Sequence, residues 1–520
     1  MNRQPRFGCG LRGTLAGACV AALAAAAVTA AAGAEGRTKK PRVIVDFEDA
    51  QAVRLSPGQA QATRVSSAGG HALQITTDAK ASWPGVLIEP RQGPWDLSGF
   101  DAVEMDVRNL DDVPVRVLLT INNPGADGQK NCNTESVTIE ERGHGVLVVP
   151  FGMWHGSSGH TLDLKKIVSV HVLLDRPGRS HRFEVDNIRA VVAERIQLED
   201  LLADPFFQQL QPVLGRGVNL GNSLEAPQEG AWGVTLKESY FEEIKAAGFD
   251  SIRIPVRWSA HAESSPPYRI DPKFFERVEW AVRQALQRRL RVVLNIHHYD
   301  EIFQNPDAHR ERFLALWQQI AERYQSQPPA LLFELLNEPN SKLTAGKWNK
   351  LLAEALAVVR RSNPTRDVVI GPVGWNGIGE LKSLTLPEQD RHLVVTVHYY
   401  SPFQFTHQGA SWAGPQAQQW LGTKWTGTKA EQQAVERDLD IAIAWAVKHR
   451  RPIYLGEFGA FSKADMESRA RWTRFVADAA LQRKMSFAYW EFSSGFGVYD
   501  PVAERWIQPL KDALLPPGRQ

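Results

Sequence analysis

Between residues 41 and 195 the apolar positions fall in short runs that alternate or cluster and then stop at Gly, Pro, Asp or Asn. RVIVDFED (42–49), HALQITTD (71–78), AVEMDVRN (102–109), VRVLLTINN (115–123), GVLVVPF (145–151), VSVHVLL (168–174) and HRFEVDNIRAV (181–191) carry the pattern. Side chains two apart share a strand face and helical spacing is scarce here, so the segment predicts an all-β jelly roll or β-sandwich. From about residue 214 the pattern becomes an apolar run followed by an amphipathic stretch, repeated. The runs are GRGVNLGN, DSIRIPV, RVVLNIHHY, LLFELLNE, DVVIGPVGW, LVVTVHYY, PIYLGEFG and SFAYWEF, with helical patterns such as PKFFERVEWAVRQALQRR and WNKLLAEALAVVRRS between most of them. Eight such runs predict an α/β fold, a closed (β/α)8 TIM barrel over 214–515, preceded by the all-β domain at 41–195. AERIQLEDLLADPFFQQL (193–210) lacks a flexible composition, so 196–213 is expected to be a packed connector.

The first 34 residues belong to neither domain. Arg3, Arg6 and Arg12 precede a small-residue apolar stretch, and Ala32-Gly33-Ala34 fits an A-x-A cleavage site. Residues 1–34 therefore predict a signal peptide and a secreted or periplasmic protein. A membrane anchor fits poorly because the stretch is only modestly apolar, and a lipoprotein reading through Cys19 fits poorly because Ala16 stands where a larger aliphatic residue is expected. Losing three arginines and no acid from a net charge of +2 leaves about −1, which gives no footprint for nucleic acid or, once the signal is removed, for a membrane. With Cys9 and Cys19 in the signal, Cys132 stands alone and excludes an intramolecular disulfide. A monomer is the expected state.

A barrel of this kind builds its active site at the carboxyl ends of its strands. Those ends collect Asn222, Glu225, Arg253, His297, His298, Asn337, Glu338, Trp375, His398, Tyr400, Glu457 and Trp490, with no P-loop, nucleophile elbow or dinucleotide fingerprint. Glu338 ends the apolar run ALLFELLNEPN, where a buried strand would avoid charge, and with Glu457 it forms a pair at strand ends four and seven, nearly opposite across the mouth. Glycoside hydrolysis needs such a pair, one acid for the leaving oxygen and one carboxylate for the anomeric carbon. Arg253 can keep one of them ionised while that anion raises the proton affinity of the other. Glu334, deeper in the same strand, is read as a structural partner within the barrel. His297 and His298 are adjacent and face opposite ways, so no metal is expected in the catalytic site.

RGVNLGNSLEAP, SIRIPVRW, VVLNIHHY, FELLNEPN, TVHYYSPFQFTHQGASW, PIYLGEFGAF and AYWEFSSGFGVYD together resemble glycoside hydrolase family 5, in particular its endoglucanase/mannanase subfamily 25. The resemblance covers about 214 to 512. It implies a retaining reaction without a cofactor, Glu338 as general acid/base and Glu457 as nucleophile. It also implies that Arg253, Asn337, His398 and Tyr400 orient them, that Trp490 supports the sugar ring, and that Asn222, Glu225, His297, His298, His407 and Trp412 contact sugar hydroxyls or ring faces. The expected activity is a secreted endo-β-1,4-glucanase acting on a β-linked polysaccharide. The alternatives are a β-mannanase or glucomannanase on the same site and a non-catalytic polysaccharide-binding protein, the last disfavoured because both carboxylates are present.

The all-β part resembles a carbohydrate-binding module. VDFED and VDNIRAV are similar to the first and last strands of modules that hold a structural calcium, which makes Asp46, Glu48 and Asp186 candidate oxygen ligands. Trp83, Trp95 and Trp154 are candidates for a sugar-stacking face, although aromatic rings in a sandwich more often pack its core.

Overall fold

The computed structural model describes residues 40–517 except 68, 155, 156, 159 and 193–197. The expected signal segment, with Cys9 and Cys19, lies outside the described residues, and so does the side chain of Trp154.

In the amino-terminal half, two sheets of mainly antiparallel strands enclose an apolar core. One has Arg182–Val191 at its centre, between Gly70–Thr77 and Ala102–Asn109; the other has Val115–Asn122 between Cys132–Ile139 and Ser169–Leu173. Alternate residues such as Val103, Met105 and Val107, or Val117, Leu119 and Ile121, bury their side chains between the sheets. The sequence pattern missed Gly85–Pro90 and Cys132–Ile139, which lie inside the second sheet, and also Val53–Gly58 and Ala60–Ser67, which are edge strands, polar on one side. Pro57 is tolerated in Val53–Gly58 since an edge leaves one row of backbone groups unpaired. Cys132 is buried in this half.

The carboxyl-terminal half is a closed eight-stranded parallel barrel. Its strands are β1 Arg216–Asn219, β2 Ser251–Ile254, β3 Arg291–Asn295, β4 Leu331–Glu334, β5 Val368–Ile370, β6 Leu393–Tyr399, β7 Ile453–Phe458 and β8 Ser486–Tyr489. All eight coincide with the apolar runs, which are near-continuous because both faces of these strands are buried. Inside the barrel, Leu214, Val293, Leu332, Val369, Val394, Tyr454 and Ala488 form an apolar layer of their own. Two residues further along several strands, the inward positions turn polar: Asn295, Glu334 and Thr396 are buried, as are Asn219 and Arg253. The barrel is thus apolar at the bottom and polar in the middle, just below its mouth.

The connector enters as two short helices, Leu198–Ala203 and Pro205–Gln209, with Phe207 buried in the barrel core and Lys484 Nζ donating to the carbonyls of Phe207 and Gln208 at 2.9 Å each. Between the two halves, the Gly346 amide donates to Glu140 Oε1 at 3.3 Å. Among the described residues no helix is long and apolar enough to cross a membrane.

Candidate active site

Arg253, on β2, organises the mouth from below. All five of its guanidinium N–H groups are used: Nε and Nη2 hold both oxygens of Glu334 at 2.6 and 2.7 Å, Nη1 reaches Asn219 Oδ1 at 3.0 Å and Glu457 Oε1 at 2.7 Å, and Nη2 also reaches Asn337 Oδ1 at 2.7 Å. Arg253 and Glu334 are both fully buried, so Glu334 compensates the cation inside the barrel and leaves the upper side of the guanidinium for Glu457.

Glu457 is level with His398 because the β6–β7 register shifts after Val397, so that His398 pairs with Glu457 and Gly456 is passed over. A Cβ on Gly456 would collide with the Thr396 hydroxyl and lie 3.2 Å from His398 Nε2, so only glycine fits there. The Tyr400 hydroxyl donates to Glu457 Oε2 at 2.9 Å, which gives this carboxylate a cationic and a phenolic donor.

Glu338 lies four residues beyond the end of β4, not on the strand itself. Its φ of +49° turns the chain back over the mouth, and Asn340 Nδ2 donates to its carbonyl at 2.7 Å. The side chain, about a quarter exposed, meets His398 Nδ1 at 2.8 Å. One carboxylate oxygen of Glu338, one of Glu457 and a His398 ring nitrogen all lie within 4.8 Å of one another. They form the one trio of potential metal ligands at such spacing among the described residues, so Asp46, Glu48 and Asp186 do not converge to that extent.

Burial raises Glu338 to about 7, with Arg253 opposing and Glu334 reinforcing the shift. Glu457 is also raised by burial, against His398 and Arg253. Because, among the described residues, two donors, one of them cationic, serve Glu457 and a histidine alone serves Glu338, a proton shared by the pair rests on Glu338. His398 is lowered to about 4 by burial and is neutral.

The remaining candidates surround this centre. Trp490 stacks on His297 with ring centroids 5.5 Å apart and planes 4° from parallel, and His298 meets Trp232 edge-on at 5.5 Å. His297, His298, Asn337, Glu338 and Trp375 line a cavity of about 400 Å³. His407 is buried, stacked on Phe403 at 4.0 Å and lowered to about 3 by burial, whereas Trp412 is 63% exposed against Phe461. Glu225 is fully buried, with its oxygens on the backbone amides of Asn222 and Ser223. It therefore shapes the loop after β1, whose Asn222 side chain donates to Ser494 Oγ at 2.6 Å.

Sequence reasoning missed two buried partners. Glu491, next to Trp490, accepts from the amides of Ser493, Ser494 and Phe496. Burial drives both Glu225 and Glu491 to about 8, with the charge of Glu457 adding to the shift at Glu225 and that of Glu225 adding to the shift at Glu491. Asn376, just after β5, places Nδ2 3.2 Å from His398 Nε2. A charge inside AYWEF was a readable signal for Glu491; nothing local marked Asn376.

Residues 211–495 match the family described as cellulase, glycosyl hydrolase family 5. Endoglucanase H of Acetivibrio thermocellus is 37% identical over 321 residues, covering 61% of this chain and 34% of that protein. The cellulase/esterase CelE of the same organism is 28% identical over 305 residues, and the chain spans 36% of its length. Among solved structures, Thermotoga maritima Cel5A in complex with mannotriose is 50% identical with a TM-score of 0.58, covering 60% of this chain and all of that one. Cellulose synthase subunit Z of Clostridioides difficile is 39% identical with a TM-score of 0.57, covering 58% and 99%. With a family match over more than half of its length and both carboxylates in the barrel mouth, the chain belongs to glycosyl hydrolase family 5.

Proposed function

We propose that the protein is an endo-acting β-1,4-glucanase that hydrolyses its polysaccharide with net retention. The observation that carries the reading is the approach of the Glu338 and Glu457 carboxylates to within 4.8 Å. Retaining enzymes keep this pair about 5–5.5 Å apart, and inverting ones leave about 6.5–9.5 Å for a water. Glu457, held ionised by Arg253 and Tyr400, attacks the anomeric carbon while Glu338 gives its proton to the departing glycosidic oxygen. Glu338, now a carboxylate, takes a proton from the water whose oxygen displaces Glu457. Asn337 is fixed by Arg253, and Trp490, backed by His297, offers a ring face to the sugar at the cleavage point.

Proton NMR of the first product should show the β-anomer; an initial α-anomer would overturn the reading. A second substrate, β-mannan or glucomannan, is favoured by the mannotriose complex of the 50% identical Cel5A. Reducing-sugar release from carboxymethylcellulose, barley glucan, glucomannan and galactomannan, side by side, decides between them. The sandwich is proposed as a carbohydrate-binding module, with the exposed Trp83 as its sugar-facing ring, because Trp95 is partly buried against the sandwich core. Export of a monomer completes the proposal, checked by fractionation of the producing cells and light scattering.

A further inference from the structure

We propose that Asn376 is a positioning residue that holds His398 in the Nδ1–H tautomer, so that the proton of Glu338 sits on the carboxyl oxygen facing the cleft. The inference rests on Glu338 being the acid/base. Asn376 is fully buried, and its amide nitrogen is 3.2 Å from His398 Nε2, while His398 Nδ1 is 2.8 Å from Glu338 Oε1. A neutral imidazole has one N–H and one lone pair. With the amide donating to Nε2, the lone pair is there and the hydrogen is on Nδ1, donating to Glu338 Oε1. The catalytic proton is left on Oε2. With the opposite tautomer, the Nδ1 lone pair would take the acid proton as a hydrogen bond and hold it away from the glycosidic oxygen.

The surroundings fix the amide in place. Gly374, Trp375 and Asn376 have φ of 68°, 58° and 56°, a left-handed run in which two residues are not glycine. It turns the Asn376 side chain inward beneath Gly377, which bridges the His398 backbone. A Cβ on Gly371 would strike the carboxamide, and Asn376 Oδ1 has no hydrogen-bond partner among the described residues, so the nitrogen end is the one put to use. The charged and titratable groups facing His398 and Glu338 are Arg253 from β2, His297 beyond β3, Glu334 from β4, Tyr400 beyond β6 and Glu457 from β7.

The arrangement serves both half-reactions. In the first, the Oε2 proton passes to the leaving oxygen as the C1–O bond breaks and Glu457 bonds to C1. In the second, Oε2 takes a proton from the attacking water as the Glu457–C1 bond breaks. His398 donates Nδ1–H throughout and moves no proton.

Selective ¹⁵N-histidine labelling of the intact protein tests this directly, with the His398 signals assigned by their loss in His398→Gln. The expected result is a protonated Nδ1 and an unprotonated Nε2; the reverse overturns the inference without needing any Asn376 variant to fold. In Asn376→Asp the carboxylate draws the hydrogen to Nε2. The expected kcat/KM on polysaccharide falls about 100-fold, the scale of a lost general acid, and the basic limb of its pH profile moves up, because the Glu338 carboxylate loses the Nδ1–H that stabilised it. Hydrolysis of a 2,4-dinitrophenyl glycoside, whose leaving group needs no proton, stays within about threefold. Gly371→Ala, which displaces the amide without changing its chemistry, should show the same dependence on leaving group. An equal loss on both substrates with an unshifted pH profile means a merely structural residue and overturns the proposal. Azide rescue of Glu338→Ala is measured alongside: failure of rescue sinks the acid/base reading itself, whereas rescue together with an Nε2–H tautomer sinks only the role of Asn376.

Discussion

The sandwich brings Asp46, Glu48, Asp106 and Asp186 near one another, and the barrel brings together Glu334, Glu338 and Glu457. In the sandwich the acids stay partly exposed and find partners on neighbouring segments of the sheet: His71 Nδ1 meets Glu48 at 2.9 Å and Arg189 meets Asp106 at 3.0 Å, with Glu48 and Asp106 side chains 49% and 38% exposed. The hydrogen bonds from His71 lower Glu48, and Asp186 is raised by partial burial beside Asp106, Glu48 and Asp46. In the barrel the Glu334 and Glu457 side chains are 0% and 6% exposed, and a single guanidinium serves both. Clustering acids is therefore not enough to make a proton donor active near neutral pH. Enclosure does it, together with an unequal share of donors between two carboxylates.

The contrast breaks most easily at Glu457. Glu457→Ala should lower kcat by about 10⁴-fold or more on every substrate, including activated aryl glycosides, because no carboxylate remains to bond to C1. Retention of activity on the aryl glycosides alone would exchange the roles of the two glutamates. Next comes Arg253→Met, which strands Glu334 in the barrel. Breaking a buried pair in this way costs about 3–5 kcal/mol, read as a lower urea midpoint alongside lost activity. A midpoint within experimental scatter of the parent would show that the barrel does not depend on that compensation.

A third test uses pH. Glu225 and Glu491, driven to about 8, bind protons more tightly folded than unfolded, where a glutamate titrates near 4.3. Their contribution is complete below about pH 4.3 and is lost as pH rises through about 8, so the melting temperature should decline across that window. Glu491→Gln, neutral throughout, should flatten the decline; an unchanged slope would remove these acids from the account. The smallest effect is expected in the sandwich, where Asp106→Asn should change stability by less than about 0.5 kcal/mol and leave kcat untouched. Adding millimolar Ca²⁺ sharpens this point: a clear rise in melting temperature, abolished in Asp186→Asn, would turn the wet cluster into a metal site.

The barrel was legible because each of its strands is buried on both faces, which leaves an apolar run in the sequence, and because FELLNEPN and YLGEFG end such runs in a carboxylate. Glu334 was legible as a structural partner within the barrel, since an acid inside an apolar run needs a buried counterpart, but its pairing with Arg253 was not. The turn that moves Glu338 off β4 was not, because a positive φ at glutamate leaves no trace in residue type. Asn376 was hidden for a different reason, its partner lying 22 residues away, whereas Glu491 showed as a charge inside AYWEF whose meaning comes from three amides that converge only after folding. Edge strands such as Ala60–Ser67 alternate too weakly to stand out, having little core to face.

Cys132 has one more use. A chain begun at residue 40 would carry a single thiol, and it lies inside the sandwich, raised by burial above the ordinary range. Its labelling rate with a thiol reagent then counts openings of that half alone, while hydrolysis counts intact barrels. Followed together during heating, the two clocks reveal whether the halves come apart in one step or in two.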